Sequence, residues 1–170
     1  GSMEGKLTEV PFGAYGELEK MCKTLWHEAY DGLIGPSQVG YMLEKFQSES
    51  AFYRQIREEN YRYFFIEAAG KRAGYCALKP EREALFLSKL YLFPEFRGTG
   101  VSRSALSAAA EIGRLLGYEK MYLTVNKENA RAIRAYEKFG FTRADSVVSD
   151  IGGGYIMDDY IYEYRLGGRR

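Results

Sequence analysis

The sequence has little of what disulfide-bonded and metal-binding proteins need. It contains 2 cysteines and 1 histidine in 170 residues. These are too few for a disulfide framework or for a typical set of metal ligands. Cys22 and Cys76 fall on a predicted helix and in a predicted strand, so we expect both to be reduced core residues. No bound metal is expected.

The sequence also lacks a charge excess and a long apolar run. Lysine and arginine number 24 against 23 aspartate and glutamate, so no net field draws nucleic acid or an anionic membrane surface. No apolar run approaches the roughly 18 residues of a membrane-spanning helix, and no signal segment follows Met3. We therefore expect a cytoplasmic protein that has neither a nucleic-acid nor a membrane partner.

A length of 170 residues fits a single domain. Gly1 and Ser2 are typical of an expression scar left by tag cleavage, so we assign the domain to residues 3–168 and set residues 1–2 aside. Aromatic residues are abundant, with 15 tyrosines and 10 phenylalanines. We expect some of the tyrosines to line a cleft.

The pattern of apolar residues predicts helices first, then an antiparallel meander, then alternating strands and helices. Helices are predicted from about Leu18 to Tyr30, from Ser37 to Phe46, and over Glu49–Glu59, Val101–Leu116 and Glu128–Phe139. Strands are predicted over Leu7–Pro11, Arg62–Ala68, Arg72–Lys79, Ala84–Phe93, Lys120–Val125, Phe141–Val148 and Tyr155–Arg165. This order indicates a mixed α/β sheet and not a doubly wound one.

A turn with two glycines precedes the clearest helix. Its residues, Arg97-Gly98-Thr99-Gly100-Val101-Ser102, lie between a predicted strand and a predicted helix N-terminus. Glycines let the backbone approach an anion closely, and the free N–H groups of a first helical turn bind phosphate oxygens. The P-loop and the dinucleotide fingerprint both need residues that are absent here. The turn predicts a diphosphate site, although two glycines can also simply make a tight turn.

A second pattern lies downstream, where Asn129, Ala132 and Tyr136 share one face of a predicted helix. Together with the glycine turn it resembles the GNAT superfamily of N-acetyltransferases. The signature of that family couples Arg/Gln-x-x-Gly-x-Gly/Ala to a downstream Asn-x-x-Ala-x-x-x-Tyr-x-x-x-Gly-Phe. The sequence departs from the signature at Ser102, where the family prefers Gly or Ala. Serine is small and keeps its backbone amide, so we expect phosphate binding to survive.

Other segments resemble, more narrowly, a bacterial branch of PaiA-like, polyamine-type acetyltransferases. The residues that carry this resemblance are Trp26, Tyr30, Gln38-Val39-Gly40-Tyr41-Met42-Leu43 and Gly154-Tyr155-Ile156-Met157-Asp158-Asp159-Tyr160. The resemblance implies that the substrate is a small amine such as a polyamine. Acetylation of a protein N-terminus or a lysine is an alternative, and a non-catalytic acyl-CoA sensor is an alternative of another class.

The family resemblance implies a mostly antiparallel sheet of six to seven strands, with flanking helices and a V-shaped split between strands four and five. Acetyl-CoA would enter this split as the co-substrate, held by backbone groups of Leu90 and Leu92. The residues expected to bind it are Leu90, Tyr91, Leu92, Arg97, Gly98, Thr99, Gly100, Val101, Ser102, Asn129, Ala132 and Tyr136. No metal takes part in the chemistry that the resemblance implies.

Direct attack by the amine is expected, because a covalent route needs a cysteine beside a histidine. Cys22 and His27 would point to different sides of one helix. Tyr136 is predicted to protonate the departing thiolate, and packing against the sheet is its other interpretation. The candidates for the base are Glu67, Asp158 and Glu83, although a carboxylate in each of these settings is more often solvated or structural than catalytic.

Trp26, Tyr30 and Tyr41 are predicted to wall the acceptor site, because aromatic faces favour a cationic amine. Core packing is an equal alternative for each of them. The last predicted strand, Tyr155–Arg165, is long and aromatic and is a candidate edge for a homodimer. It can also be covered within the monomer.

Overall fold

The computed structural model describes residues 3–167 and contains five α-helices, two short 3-10 helices and seven strands within that range. The α-helices are α1 (Tyr15–Ile34), α2 (Pro36–Phe46), α3 (Glu49–Glu58), α4 (Val101–Leu115) and α5 (Ala130–Phe139). The strands are β1 (Lys6–Glu9), β2 (Arg62–Ala68), β3 (Lys71–Pro80), β4 (Leu85–Leu92), β5 (Lys120–Asn126), β6 (Thr142–Gly152) and β7 (Tyr155–Arg165). None of the helices in this range has both the length and the apolar character needed to cross a membrane.

Helix α1 is longer than the sequence pattern predicts. The expected stop near Tyr30 is wrong, because the helix passes through Gly32 and ends at Ile34. A single glycine inside a helix costs only about 1 kcal/mol, which the packing of the rest of the helix can offset. Gly35 then adopts a φ of 90°, and Pro36 opens α2. The positive φ and the proline together end α1 and turn the chain.

The seven strands form one sheet in the order β1-β2-β3-β4-β5-β7-β6. All neighbours are antiparallel except β4 and β5, which are parallel. This confirms the predicted mixed, mostly antiparallel architecture. The expectation that β7 offers a free edge for a homodimer is wrong, because β7 pairs with β5 on one side and with β6 on the other.

The sheet separates two apolar clusters. Alternate residues of β2 point to opposite faces, so that Phe64 and Ile66 belong to one cluster and Tyr63 and Phe65 to the other. The first cluster packs under α4 and α5, and the second under α1, α2 and α3. The two faces therefore carry different helices, and a gap in the sheet joins their surfaces.

That gap opens between β4 and β5. The two strands pair only at Leu85 with Met121 and at Phe86 with Tyr122. Immediately beyond, β4 carries a bulge: Leu87 pairs with Leu78 of β3 and Lys89 with Ala77, so Ser88 has no partner on β3. A bulge bends its strand and increases the local twist, which accounts for the parting of β4 from β5 at this point.

The bulge also shifts the alternation of side chains along β4, so that odd-numbered residues face one side of the sheet before it and the other side after it. Before it, Leu85 and Leu87 belong to the cluster under α4 and α5. After it, Tyr91 packs into the cluster under α1, α2 and α3, and Lys89 shares its face by the alternation of the strand. The bulge therefore sets which side chains of β4 face each half of the split.

Candidate active site

A cleft of about 620 Å³ passes through the split between β4 and β5. Its walls come from α1, α2, β4, β5, α5 and the β6–β7 hairpin. Its volume lies within the range of small-molecule sites, about 300–1,000 Å³. Because it reaches both faces of the sheet, a ligand entering beside α4 can meet another that enters beside α1 and α2.

The end of the cleft beside α4 has the features of a phosphate site. Gly98 and Gly100 have φ values of 71° and 96°, which fold the turn tightly onto the helix. No side chain caps the N-terminus of α4. Its first N–H groups have no acceptor within the helix and carry the positive end of the helix dipole. Ser102, in that first turn, lines the cleft.

Arg97 stands at this end with its side chain held in place. It donates to both carboxylate oxygens of Glu28, at 2.6 and 3.1 Å, and to the carbonyl oxygen of Leu92 at 2.8 Å. The hydrogen bond from Arg97 lowers the pKa of Glu28. Arg131, on α5, is a second cation in the lining of the cleft. Two arginines therefore belong to the lining of the cleft.

The rest of the predicted glycine turn shapes this end without lining it. Thr99 donates through its hydroxyl to the carbonyl of Phe96, and its own carbonyl accepts from the N–H of Met3. Val101 is fully buried in the core. In the described part of the chain, Thr99, Gly100 and Val101 are absent from the cleft wall, whereas Arg97, Gly98 and Ser102 belong to it.

Helix α5 brings Asn129, Ala132 and Tyr136 to the opposite wall. Asn129 precedes the helix as its N-cap, and its side-chain oxygen accepts from the N–H of Ala132 at 3.3 Å. The amide therefore stabilises the start of α5 in addition to facing the cleft. Leu90, Tyr91 and Leu92 of β4 form the facing wall.

Tyr136 is half-buried on the cleft wall and packs edge-on against Phe141, with ring centroids 5.6 Å apart. Burial raises the pKa of its hydroxyl, and the nearby Tyr30 hydroxyl raises it further. The phenol is therefore neutral across the physiological pH range. A neutral phenol that faces a cleft can donate a proton to a group bound there.

The other end of the cleft, on the α1 and α2 face of the sheet, is mainly aromatic and apolar. We call it the acceptor chamber; its walls include Trp26, Tyr30, Met42, Lys89, Tyr91 and Asp159. The ring centroid of Trp26 lies 5.8 Å from that of Tyr30 and 5.7 Å from that of Tyr91. The predicted wall residues Trp26 and Tyr30 thus lie here.

Asp159 is the ionisable residue of this chamber that the sequence pattern missed. It is only 6% exposed, and its Oδ1 atom has no hydrogen-bond partner within residues 3–167. Burial raises its pKa to about 6; the charge of Asp158 raises it and the cations Lys89 and Lys127 lower it. The available signal was the alternation of β7, in which Asp159 shares a face with Met157 of the buried cluster.

Lys89 enters the same chamber directly after the bulge in β4. Its ammonium donates to the hydroxyl of Ser88 at 2.8 Å. Burial lowers its pKa to about 8, and the charge of Asp159 opposes that shift. At neutral pH most of the Lys89 side chains therefore keep their positive charge. The chamber holds one buried carboxylate and one half-buried ammonium.

The structure does not bring the expected base candidates into the cleft. Glu67 pairs with Arg72 at 3.7 Å, and Asp158 is exposed and pairs with Lys127 at 2.9 Å. Glu83 is exposed as well. Among the described residues that line the cleft, none of these three is present. Their positions do not support the predicted role, because a base must reach the proton that it removes.

Tyr41 also lies outside the wall of the cleft, within the described range. Its hydroxyl donates to the carbonyl of Ile151 at 3.1 Å, and its ring packs against Tyr155 with centroids 5.3 Å apart. It therefore joins α2 to the β6–β7 hairpin. Its contacts fit a structural role better than the predicted role in the acceptor wall.

Cys22 and His27 have different partners, as the helical spacing predicts. The Cys22 thiol donates to Gln47 Oε1 at 3.4 Å, and burial raises its pKa to about 12. His27 Nδ1 lies 2.7 Å from Asp31 Oδ1. Burial also raises the pKa of the Cys76 thiol. Between residues 3 and 167 no group of three or more His, Cys, Asp or Glu residues is arranged to hold a metal ion.

Comparison with known proteins agrees with this geometry. The model of the acetyltransferase (GNAT) family matches residues 20–141. The chain belongs to this family. The spermidine N(1)-acetyltransferase of Escherichia coli strain K12 is 34% identical over 131 residues, which are 68% of this chain and 69% of that protein. This acetyltransferase is also 28% identical over 94 residues to a putative [ribosomal protein bS18]-alanine N-acetyltransferase of Bacillus subtilis, covering 55% and 62% of the two chains.

Two solved structures share the fold of this acetyltransferase. The PaiA N-acetyltransferase of Thermoplasma acidophilum, solved in complex with coenzyme A, superposes with a TM-score of 0.79 at 20% identity, over 96% of this chain and 99% of that one. A dodecameric spermidine N-acetyltransferase of Vibrio cholerae superposes with a TM-score of 0.67 at 19% identity, over 96% and 94%. At these identities the likeness shows the fold alone.

Proposed function

We propose that this acetyltransferase moves the acetyl group of acetyl-CoA to the primary amine of a small molecule by direct attack inside the cleft. The observation that carries the proposal is a cleft that joins the uncapped N-terminus of α4 to a chamber with one buried carboxylate. A thioester enters from the α4 side and an amine from the α1 and α2 side. The two reactants meet where β4 and β5 part.

The α4 end of the cleft suits the diphosphate of coenzyme A. Free N–H groups, the helix dipole and Arg131 offer positive charge to phosphate oxygens, while Arg97 is held near this end by Glu28. Beyond the bulge, β4 runs along the cleft as Leu90, Tyr91 and Leu92, whose backbone groups can hold the pantetheine arm. The coenzyme A complex of the Thermoplasma relative supports this assignment.

The chemical step is a single displacement. The amine nitrogen attacks the carbonyl carbon of the thioester, so a carbon–nitrogen bond forms and the carbon–sulfur bond breaks. The nitrogen loses a proton, and the departing sulfur gains one. Tyr136 is the proton donor, because its phenol faces the cleft and is protonated at neutral pH. The proton passes to the departing sulfur as the carbon–sulfur bond breaks, and the phenol regains a proton from solvent.

The amine must be bound and deprotonated before it attacks. An alkyl ammonium with a pKa near 10.4 is about one part in a thousand neutral at pH 7.4, which costs about 4 kcal/mol. Asp159 is the carboxylate that meets this need: it is buried in the chamber with one oxygen unpartnered. It binds the ammonium and, with a pKa of about 6, is a better proton acceptor than an ordinary carboxylate.

Neither cysteine of the chain is suited to form a covalent acyl intermediate. Both Cys22 and Cys76 are fully buried, and burial raises the pKa of each thiol. A thiol in this state is not a nucleophile at neutral pH. The acetyl group is therefore transferred directly to the amine, without an acyl-cysteine.

The test follows release of the coenzyme A thiol from acetyl-CoA with small amines, amino acids and peptides that carry free N-termini. We expect release with a small primary amine and a smaller response with peptides. Binding of acetyl-CoA in calorimetry without release by any acceptor would contradict the proposal in favour of a sensor. Release with peptides alone would favour a protein N-terminus or lysine as the substrate.

A further inference from the structure

Within residues 3–167, the cleft lacks the several carboxylates that would be needed to bind a ligand with more than one ammonium group. In the described part of the chain, the lining contains one carboxylate, Asp159, and three cations, Lys89, Arg97 and Arg131. Arg97, just before α4, is paired with Glu28, and Arg131 lies on α5. The acceptor chamber is left with Asp159 and Lys89 alone, so its formal charge at neutral pH is close to zero.

Lys89 and Asp159 do not neutralise each other through a direct hydrogen bond at Asp159 Oδ1. The ammonium of Lys89 donates to Ser88, whereas Asp159 Oδ1 has no partner among the residues described. One carboxylate oxygen is therefore free for one incoming ammonium. A second ammonium on the same ligand would find no further carboxylate in the lining and would be repelled by Lys89.

The aromatic part of the chamber wall is apolar, because the polar atoms of its rings already have partners. The hydroxyl groups of Tyr30 and Tyr91 share a hydrogen bond of 2.7 Å, and the indole N–H of Trp26 donates to the hydroxyl of Tyr75 at 2.7 Å. These rings therefore present carbon faces and edges to the cavity. Met42 and Phe46 of α2 add further apolar surface. Such a wall favours an apolar or aromatic ligand body.

We infer that the acceptor is a primary monoamine with an uncharged apolar or aromatic body, and not a polyamine. Its single ammonium binds Asp159, and its body packs against the cavity-facing surface of the aromatic wall that Tyr30 and Tyr91 form with Trp26. Lys89 excludes molecules that carry a further positive charge. The inference rests on the proposed acetyl transfer and adds the substrate class to it.

The first experiment compares kcat/KM for 2-phenylethylamine, spermidine and 1,4-diaminobutane, measured by thiol release from acetyl-CoA. We expect 2-phenylethylamine to exceed both polyamines by about tenfold or more, because a buried unpaired ammonium costs more than 1.4 kcal/mol. Equal or better turnover of spermidine would overturn the inference and leave the proposed acetyl transfer intact. Thiol release with none of the amines would overturn both.

A second experiment measures binding without turnover. Calorimetric titration in the presence of coenzyme A should show 2-phenylethylamine binding and spermidine binding at least about tenfold more weakly. Phenylalanine, which adds a carboxylate to the same body, separates the effect of a negative charge from that of the ring. Binding of spermidine that is as tight as that of the monoamine would contradict the inference.

Reversing the charge of Lys89 tests directly whether this residue selects the acceptor. Lys89→Glu should raise kcat/KM for spermidine relative to 2-phenylethylamine by about tenfold or more, since it replaces a repulsion by an attraction. Lys89→Gln serves as the matched control, because it removes the positive charge without adding a negative one and should give a smaller change in the same direction. An unchanged preference in both variants would show that Lys89 does not select the acceptor.

Discussion

Asp158 and Asp159 are neighbours on β7, yet only Asp159 faces the cleft. Asp159 is 6% exposed, whereas Asp158 is an exposed residue paired with Lys127 at 2.9 Å. Successive residues of a strand point to opposite faces, so the one-residue step separates a buried site from a surface ion pair. The two carboxylates are therefore a matched pair for mutation.

Asp159→Asn should raise the KM of the amine roughly 10- to 100-fold, because a hydrogen bond to a charged partner contributes about 1.5–3 kcal/mol. The KM of acetyl-CoA should stay the same, since Asp159 lies on the acceptor side. Steady-state kinetics with each substrate varied in turn separates the two constants. Asp158→Asn is the control and should change both by less than about twofold, as exposed ion pairs contribute little. Similar effects in both variants would contradict the assignment.

The same substitution should change how stability depends on pH. Burial raises the pKa of Asp159 from 3.8 to about 6, so the folded state binds this proton more tightly than the unfolded state does. Ionised Asp159 therefore destabilises the fold above about pH 6, and protonation removes this effect as the pH falls towards 3.8.

Asp159→Asn should consequently raise the Tm at pH 7.5 by several degrees, for a gain of about 1–3 kcal/mol at about 2–4 °C per kcal/mol. The gain should shrink as the pH is lowered to 4. Thermal unfolding of the variant and the unsubstituted protein at both pH values makes the comparison. A difference in Tm that is the same at pH 7.5 and pH 4 would show that ionisation of Asp159 is not its cause.

Tyr136→Phe should lower kcat by about 10²-fold or more, the usual contribution of a positioned acid. The ring keeps its packing against Phe141, so the affinity for acetyl-CoA should be nearly unchanged. Tyr164→Phe is the control, because Tyr164 packs on Phe139 and Phe141 and is not part of the described lining of the cleft. A fully active Tyr136→Phe enzyme would remove Tyr136 as the proton donor.

Ser102→Glu should weaken acetyl-CoA binding by about tenfold or more, because a carboxylate in the first turn of α4 would repel the diphosphate. A negative charge at a helix N-terminus stabilises the helix by about 0.3–1 kcal/mol, so the Tm should not fall. Ser107→Glu, at an exposed position further along α4, is the control and should leave the KM of acetyl-CoA unchanged. Equal KM values in the two variants would argue against phosphate binding at this helix end.

Local patterns predicted most of the elements, because their causes lie within a few residues of each other. The apolar stripe of α4 and the alternation of β2 and β3 are properties of short segments. Errors arose where a local signal competed with packing. Asp31-Gly32 is a turn signal, but the helix continues to Ile34 and ends only where Gly35 takes a positive φ.

The acceptor chamber depends on pairings between distant segments, which local patterns do not contain. β7 lies between β5 and β6, and its register places Asp159 beside Asn126 of β5. The bulge at Ser88 turns Lys89 toward the same chamber. A one-residue change of register or the loss of the bulge would face either side chain the other way.

The sequence by itself determined the residues of the proposed cofactor half of the cleft, from Arg97 to Ser102 and from Asn129 to Tyr136. Those groups act through a tight turn and the ends of two helices, and both follow from residues that are close in the chain. Only the tertiary structure decided the acceptor half. There the register of β7 and the bulge in β4 select Asp159 and Lys89, because a side chain in a sheet takes its direction from the pairing of its strand.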